Sequence, residues 1–120
     1  MKNVLIVDDS RTSRRFLRDI LERAGYNVVG EAINGQEGFD QYVKLNPDIV
    51  TMDITMPQVD GIESLKLIRK YDSNAKIIMI TAAGQKEKMM EAVKFGAAEF
   101  ITKPFMEESV LSALRHCENQ

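Results

Sequence analysis

Residues 49–61 read IVTMDITMPQVDG, an apolar run that ends in an acidic residue and continues into a loop. The run at residues 49–52 is nearly continuous rather than alternating, which is typical of a strand covered on both faces. Similar short runs, rich in Val, Ile or Phe, recur on both sides of this one. They lie at residues 4–7, 28–29, 77–80 and 100–101. The pattern predicts five short strands, most of them buried within a sheet.

Longer stretches with a helical spacing of apolar residues separate these runs. In the first, an apolar stripe is followed by Gly25, at a position where the end of a helix favours glycine. The stripe consists of Phe16, Leu17, Ile20, Leu21 and Ala24. Four more helices are predicted at residues 36–44, 62–70, 86–95 and 107–116. Five strands that alternate with five helices predict a parallel sheet between two helical layers, which is a three-layer α/β fold.

The composition narrows the class of protein. With 120 residues and 44% apolar side chains, the chain suits one compact domain over residues 1–120. A net charge of −2 argues against nucleic acid or an anionic membrane as the main partner. Cys117 is the only cysteine, which excludes an internal disulfide and a multi-thiolate zinc site. No uncharged apolar run approaches the ~18 residues of a membrane span and no signal-peptide pattern is present, so we expect a cytoplasmic protein.

Polar side chains follow four of the five predicted strands. Asp8 and Asp9 come after the first strand, Asp53 after the third, Thr81 after the fourth and Lys103 after the fifth. Each of them alone has an ordinary explanation, such as helix capping by an aspartate. In open parallel sheets, however, ligands bind beyond the carboxyl ends of the strands. The convergence of these side chains at one edge therefore predicts a functional site there.

The residue types at this edge indicate phosphoryl chemistry. Three carboxylates in one place repel each other, and a hard divalent cation such as Mg²⁺ relieves that repulsion. With one Mg²⁺ and the ammonium group of Lys103, the formal charge of the cluster is zero. Mg²⁺ and a lysine beside carboxylates also stabilise a phosphoryl group during its transfer. Because a carboxylate can itself be the nucleophile, Asp53, which stands apart from the Asp8–Asp9 pair, is the best candidate.

Four segments resemble the receiver domains of response regulators in two-component signalling, most closely the CheY-like single-domain chemotaxis type. The segments are LIVDDS (5–10), IVTMDITMPQVDG (49–61), IIMITA (77–82) and EFITKPF (99–105). The resemblance covers the whole chain, and the joint spacing of the four segments is highly specific. It implies a doubly wound, CheY/flavodoxin-like sheet with the strand order 2-1-3-4-5.

The resemblance also implies roles for the acidic residues. Asp53 matches the phosphoacceptor of the family. Asp8 and Asp9 match the acidic pair that holds Mg²⁺, together with the side chain of Asp53 and the backbone carbonyl of Thr55. Thr81 then corresponds to the hydroxyl residue that hydrogen-bonds the phosphoryl group.

Other matches lie in the loops and in the fifth strand. Lys103 matches the lysine that pairs with the phosphoryl group, and Lys103–Pro104 matches a cis peptide bond. Residues 56–57 (Met-Pro) and Gly61 match the loop after the acceptor, where the glycine is expected to free the backbone before the third helix. Phe100 matches the aromatic switch residue of the family, which is expected to act together with Thr81. It lacks the hydroxyl of the tyrosine that many chemotaxis members carry there.

The function implied by the resemblance is a phosphorylation-controlled switch rather than an enzyme. A histidine kinase would donate the phosphoryl group, and slow Mg²⁺-dependent hydrolysis would remove it. A downstream partner would bind the face formed by helix 4, strand 5 and helix 5, and a phosphatase is a further expected partner. We expect a monomer that neither binds nucleic acid directly nor inserts into a membrane.

Three alternatives remain open from the sequence. The chain can be the receiver of a longer regulator, for example a DNA-binding one. A haloacid-dehalogenase-type phosphatase also uses an aspartate nucleophile, but it needs a second acid where this chain has Thr55. A flavodoxin-like FMN carrier shares the topology, although Asp8 and Asp9 would repel the FMN phosphate.

His116 is interpreted as a solvated cation at a helix end rather than as a phosphorelay histidine.

Overall fold

Five parallel strands form one sheet in the order β2-β1-β3-β4-β5, as predicted. The computed structural model describes residues 2–56 and 58–119. The strands are β1 (Asn3–Val7), β2 (Asn27–Ala32), β3 (Ile49–Asp53), β4 (Ile77–Thr81) and β5 (Glu99–Thr102). The helices are α1 (Arg11–Arg23), α2 (Gly35–Leu45), α3 (Gly61–Tyr71), α4 (Lys86–Lys94) and α5 (Glu107–Glu118). Each helix connects two parallel strands or follows the last one, which confirms the predicted three-layer α/β fold.

Side chains at the starts of the first three helices cap them. The side chains of Ser10, Asn34 and Asp60 each accept a hydrogen bond from the backbone N–H three residues further on. These bonds satisfy N–H groups that have no partner within the helix. Helices α4 and α5 follow Gln85 and Met106, neither of which caps its helix with its side chain. Among the described residues, no helix has the length and apolar character needed to cross a membrane.

The sheet divides the hydrophobic core into two clusters. Alternate residues of β1 show the division, because Val4 and Ile6 face the cluster beneath α1 and α5, whereas Leu5 and Val7 face the cluster beneath α2, α3 and α4. Burial of a Leu, Ile or Val side chain contributes about 1.5–3 kcal/mol. The central strands β1, β3 and β4 are buried on both faces over most of their length, as their continuous apolar runs predict.

Helix α1 differs from its predicted apolar stripe. Leu17, Ile20 and Leu21 are buried, but Phe16 is 47% exposed and Ala24 is exposed. Phe16 lies at the margin of the stripe and stacks on the ring of Phe105, with 5.4 Å between the ring centroids. Ala24 is the C-cap residue, where the chain leaves the helix. The face that α1 buries is therefore narrower than predicted.

Candidate functional site

Three carboxylates meet at the carboxyl ends of the neighbouring strands β1 and β3. Asp8 and Asp9 follow β1, Asp53 ends β3, and the two strands are neighbours in the sheet. One carboxylate oxygen from each residue lies within 4.8 Å of the others. Asp8 and Asp53 are buried, whereas Asp9 is exposed. The cluster is therefore a pocket of negative charge with one side open to solvent.

A lysine from the edge of the sheet reaches this cluster. The Nζ atom of Lys103 lies 3.2 Å from Oδ2 of Asp53 and 3.3 Å from Oδ2 of Asp8. The backbone N–H of Lys103 donates to the carbonyl oxygen of Thr81 over 2.7 Å, which attaches the start of the loop to the end of β4. The peptide bond between Lys103 and Pro104 is cis. Lys103 thus places an ammonium group between two buried carboxylates.

One lysine does not compensate the carboxylates fully. Burial, and after it the charge of Asp8, raises the pKa of Asp53 to about 6, although Lys103 acts in the opposite direction. For Lys103 itself, burial lowers the pKa, but the charges of Asp53 and Asp8 outweigh burial and raise it. The cluster therefore still favours additional positive charge. Oxygen-only ligands with unbalanced negative charge are a donor set that suits Mg²⁺.

Thr81 brings an unsatisfied hydroxyl to the same edge of the sheet. It is the last residue of β4 and is buried, and within the described chain its Oγ1 atom has no hydrogen-bond partner. A buried hydroxyl without a partner costs free energy, so such groups in proteins call for an explanation. Phe100 lies on the neighbouring strand β5, where it is half-buried and packs against the core beneath α2, α3 and α4.

Gly61 holds the loop after β3 close to the end of this strand. Its backbone N–H donates to the carbonyl oxygen of Ile54 over 2.9 Å, and a Cβ atom at this position would overlap the backbone oxygen of Asp53. The expected reason for the glycine was conformational freedom, but Gly61 is not among the residues with a positive φ. Close backbone contact is the actual reason. Pro57, in the same loop, lies outside the described residues.

Two contributions to the site were not predicted from the sequence. Arg14 on α1 donates to the backbone carbonyl of Asp8 over 2.8 Å and to Glu31 over 3.0 Å, so it supports the backbone of the acidic pair. Gln85 bridges the loops after β3 and β4 through Thr55 and Ala82. The sequence did contain one indication of this second contact: Gln85 stands at the start of a helix, where Ser, Thr, Asp or Asn is preferred.

His116 and Cys117 lie on α5 and belong to no part of this site. His116 is exposed, and its Nδ1 atom lies 3.0 Å from Oε2 of Glu99. Cys117 is buried, and burial raises the pKa of its thiol to about 11.

Comparison with known proteins identifies the class of protein that this fold and site define. Residues 4–115 match the family model of the response regulator receiver domain, and the chain belongs to this family. It is 54% identical over 113 residues to the chemotaxis protein CheY of Thermotoga maritima, covering 94% of both chains. It is 46% identical over 116 residues to CheY of Bacillus subtilis, covering 97% of both.

A solved structure supports the same likeness. A complex of CheX, CheY, BeF₃ and Mg²⁺ from Borrelia burgdorferi contains a chain with a TM-score of 0.90 and 41% identity, covering 94% of this chain and 86% of that one. The chain is thus a CheY-like receiver, a phosphorylation-regulated switch of chemotaxis signalling. Receivers of this kind are phosphoacceptors rather than classical enzymes, so the phosphatase and flavin-carrier alternatives receive no support.

Proposed function

We propose that Asp53 is the residue that accepts the phosphoryl group, and that a phosphohistidine of a histidine kinase donates it. The observation that carries this proposal is the position of Asp53 at the end of β3, buried beside Asp8 and 3.2 Å from the ammonium of Lys103. A carboxylate oxygen of Asp53 would attack phosphorus as the P–N bond of the donor breaks, and the imidazole would leave with the electron pair. The product is an acyl phosphate.

The residues that would hold Mg²⁺ are Asp8, Asp9 and Asp53, together with the backbone carbonyl of Thr55. The fit rests on the close group of carboxylate oxygens and on the raised pKa of Asp53, which reflects burial first and then the negative charge of Asp8. When bound, Mg²⁺ supplies positive charge to the oxygens of the transferring phosphoryl group. Slow hydrolysis of the acyl phosphate would use the same site.

Lys103 and Thr81 would recognise the phosphoryl group on Asp53. Lys103 already contacts the acceptor carboxylate, so its ammonium can follow the charge onto the new oxygens. The hydroxyl of Thr81, which has no hydrogen-bond partner among the described residues, can donate a hydrogen bond to one of them. A movement of Thr81 toward the phosphoryl group would allow Phe100 to bury more of its ring, and Thr81 and Phe100 together would act as the switch.

The output partner would bind the face made of α4, β5 and α5. Met90 and Val93 on α4 have exposed apolar side chains, and Phe100 on β5 is half-buried. We propose that a phosphatase also acts on the phosphorylated chain, since a similar chain is found in complex with CheX. Residues 1–120 would act as one receiver domain, as a monomer in the cytoplasm and without direct nucleic-acid binding.

Intact-mass analysis after incubation with Mg²⁺ and acetyl phosphate tests the acceptor. The wild-type chain should gain one phosphoryl group, and Asp53→Asn should gain none because the nucleophilic oxygen is lost. Asp19→Asn, which removes an exposed carboxylate from α1, is the matched control and should be labelled like the wild type. Labelling of the Asp53→Asn variant at another residue would contradict the assignment.

Calorimetric titration with Mg²⁺ tests the metal site. Asp9→Ala should weaken Mg²⁺ binding by at least tenfold, because it removes one of three charged ligands. In metal-free buffer the same variant should unfold at a higher temperature, since the remaining carboxylates repel each other less. Asp40→Ala, on α2, is the control and should bind Mg²⁺ normally. Equal Mg²⁺ affinity of wild type and Asp9→Ala would refute the proposed site.

A further inference from the structure

The side chain of Gln85 connects the two loops that flank the acceptor. Its Nε2 atom donates to the hydroxyl oxygen of Thr55 over 2.6 Å, and its Oε1 atom accepts from the backbone N–H of Ala82 over 2.8 Å. Thr55 belongs to the loop after β3, and Ala82 directly follows β4. One amide group therefore joins the two loops, and its contact with Thr55 spans 30 residues of the chain.

The register of the sheet places both contacts next to Asp53. Asp53 on β3 pairs with Ile80 on β4, and the N–H of Ile54 donates to the carbonyl of Ile80. Thr55 and Ala82 each lie two residues beyond this pair, on the side of the sheet where the carboxylates meet. The bridge thus spans the edge at which a phosphoryl group on Asp53 would need hydrogen-bond donors.

The orientation of the Gln85 amide follows from its partners. A backbone N–H can only donate, so the atom that faces Ala82 must be the carbonyl oxygen of the side chain. The NH₂ group is then left for Thr55, whose hydroxyl oxygen accepts and whose own proton stays available. The bridge consequently occupies the N–H of Ala82, which is the backbone donor directly after Thr81.

Helix capping does not explain this side chain. Gln85 is the N-cap residue of α4, but its side chain makes no capping hydrogen bond. The N-cap residues of α1, α2 and α3 all use their side chains for capping. At α4 the side chain points back to the strand end instead, and the first turn of the helix remains without a side-chain cap.

We propose that Gln85 is a positioning residue that acts as a latch on the unphosphorylated site. Its amide oxygen occupies the N–H of Ala82 until an anionic phosphoryl oxygen takes its place. The latch opposes phosphorylation, because the hydrogen bond from Ala82 to Gln85 must break before this donor is free, and the bond between Gln85 and Thr55 holds the amide in place. The exchange is favourable once the phosphoryl group is present, since hydrogen bonds to charged acceptors are stronger than bonds to neutral ones. This inference rests on the proposed function of Asp53.

The first test measures the affinity of the full chain for beryllofluoride in the presence of Mg²⁺. Gln85→Ala should bind this phosphoryl analogue roughly three- to tenfold more tightly than the wild type, which corresponds to the release of about one net hydrogen bond. Phosphorylation by acetyl phosphate should accelerate by a similar factor. Gln36→Ala is the matched control, because Gln36 is exposed on α2, where its side chain donates to Asp40, and the substitution should leave both values unchanged.

Hydrogen exchange of the Ala82 amide tests the latch without any phosphoryl group. This amide should exchange more rapidly in Gln85→Ala than in the wild type, whereas amides inside β4 should keep their protection. The measurement also shows whether the variant is folded. Unchanged exchange at Ala82 would overturn the proposal.

A double variant tests whether Thr55 and Gln85 act together. Thr55→Val removes the hydroxyl that holds the amide, so it should also tighten beryllofluoride binding. In the Gln85→Ala background the same change should add nothing, because the bridge is already lost. Additive effects, or weaker binding by Gln85→Ala than by the wild type, would overturn the latch. A wild-type chain that binds no beryllofluoride would overturn both the latch and the function proposed for Asp53.

Discussion

The proposed role of Asp53 and its surroundings in the folded protein favour different protonation states of its carboxyl group. The nucleophilic role proposed for Asp53 requires an ionised carboxylate, but burial and the charge of Asp8 favour the protonated form and raise its pKa from 3.8 to about 6. The native state thus binds this proton more tightly than the unfolded chain does. Unfolding releases the proton between these two pH values, so the free energy of unfolding falls as the pH rises from 3.8 to about 6 and then levels off.

Asp53→Asn should therefore stabilise the metal-free protein near neutral pH. The expected gain in the free energy of unfolding is on the order of 1–2 kcal/mol, less than the full shift because solvent screens part of the interaction. The gain should vanish at about pH 4, because Asp53 is then protonated in the native wild type and is as uncharged as the asparagine of the variant. Urea unfolding in the presence of a chelator, at both pH values, is the measurement. A gain that does not depend on pH would mean that charge is not the cause.

At the scale of residues, the strand-end rule of parallel sheets found the charged groups of the candidate site. The structure brings Asp8, Asp53 and Lys103 into contact although they are distant in sequence. The rule could not find Arg14 or Gln85, because their contacts depend on the course of loops and on side-chain rotamers. Neither feature leaves a periodic pattern in the sequence.

The loop between β3 and α3 depends on Gly61 for a reason of packing. Gly61→Ala should lower the free energy of unfolding by about 2–3 kcal/mol, since the new methyl group would overlap the backbone of Asp53. It should also weaken Mg²⁺-dependent beryllofluoride binding, because the overlap is with the backbone of Asp53 and Ile54, and its relief disturbs the end of β3 against the start of α3. Chemical denaturation and a binding titration measure the two effects.

Gly25→Ala provides the matched comparison for this loop. Gly25 has a φ of +91°, but a Cβ there would meet nothing within 4 Å. The substitution should cost about 1–2 kcal/mol through backbone conformation alone and leave beryllofluoride binding unchanged. Equal effects of the two substitutions on binding would show that close packing at Gly61 does not position the acceptor.

The bounds of the buried strands and of the helices were predicted well from the sequence, and those of the edge strands were predicted less well. Helix α2 was predicted at residues 36–44 and is found at Gly35–Leu45. Strand β2 was predicted at residues 28–29 but extends over Asn27–Ala32. An edge strand needs fewer apolar residues, and β2 also contains Gly30 beside a register shift against β1. Its sequence therefore carries a weaker strand signal than that of a central strand.

At the scale of the whole molecule, the paired strands β4 and β5 connect the candidate site with the proposed output face. Thr81→Ala should still be phosphorylated on Asp53, but the accompanying change at Phe100 should be much smaller. A ligand shifts a conformational equilibrium only through its different interaction with the two states, and this variant removes one such interaction. NMR spectra with and without beryllofluoride should show reduced chemical-shift changes along β5 and α4.

Two controls separate this coupling from a loss of structure. The free energy of unfolding of Thr81→Ala should change by less than about 1 kcal/mol, because the deleted hydroxyl makes no hydrogen bond in the described chain. Thr102→Ala, an exposed position that pairs with Thr81 in the sheet register, should respond to beryllofluoride like the wild type. A full response of Thr81→Ala would indicate that the signal reaches Phe100 by another route.

The wide sequence separation of the site residues has a consequence during protein synthesis. Lys103 contacts Asp53 and Asp8 across 50 and 95 positions of the chain, and the polypeptide is made from its N-terminus onward. At about 5–20 residues per second, the 50 residues that separate Asp53 from Lys103 take roughly 3–10 s to add. A nascent chain thus contains Asp53, the proposed acceptor, well before it contains Lys103. If Asp53 has the proposed function, incomplete chains do not signal, and only complete chains respond to the histidine kinase.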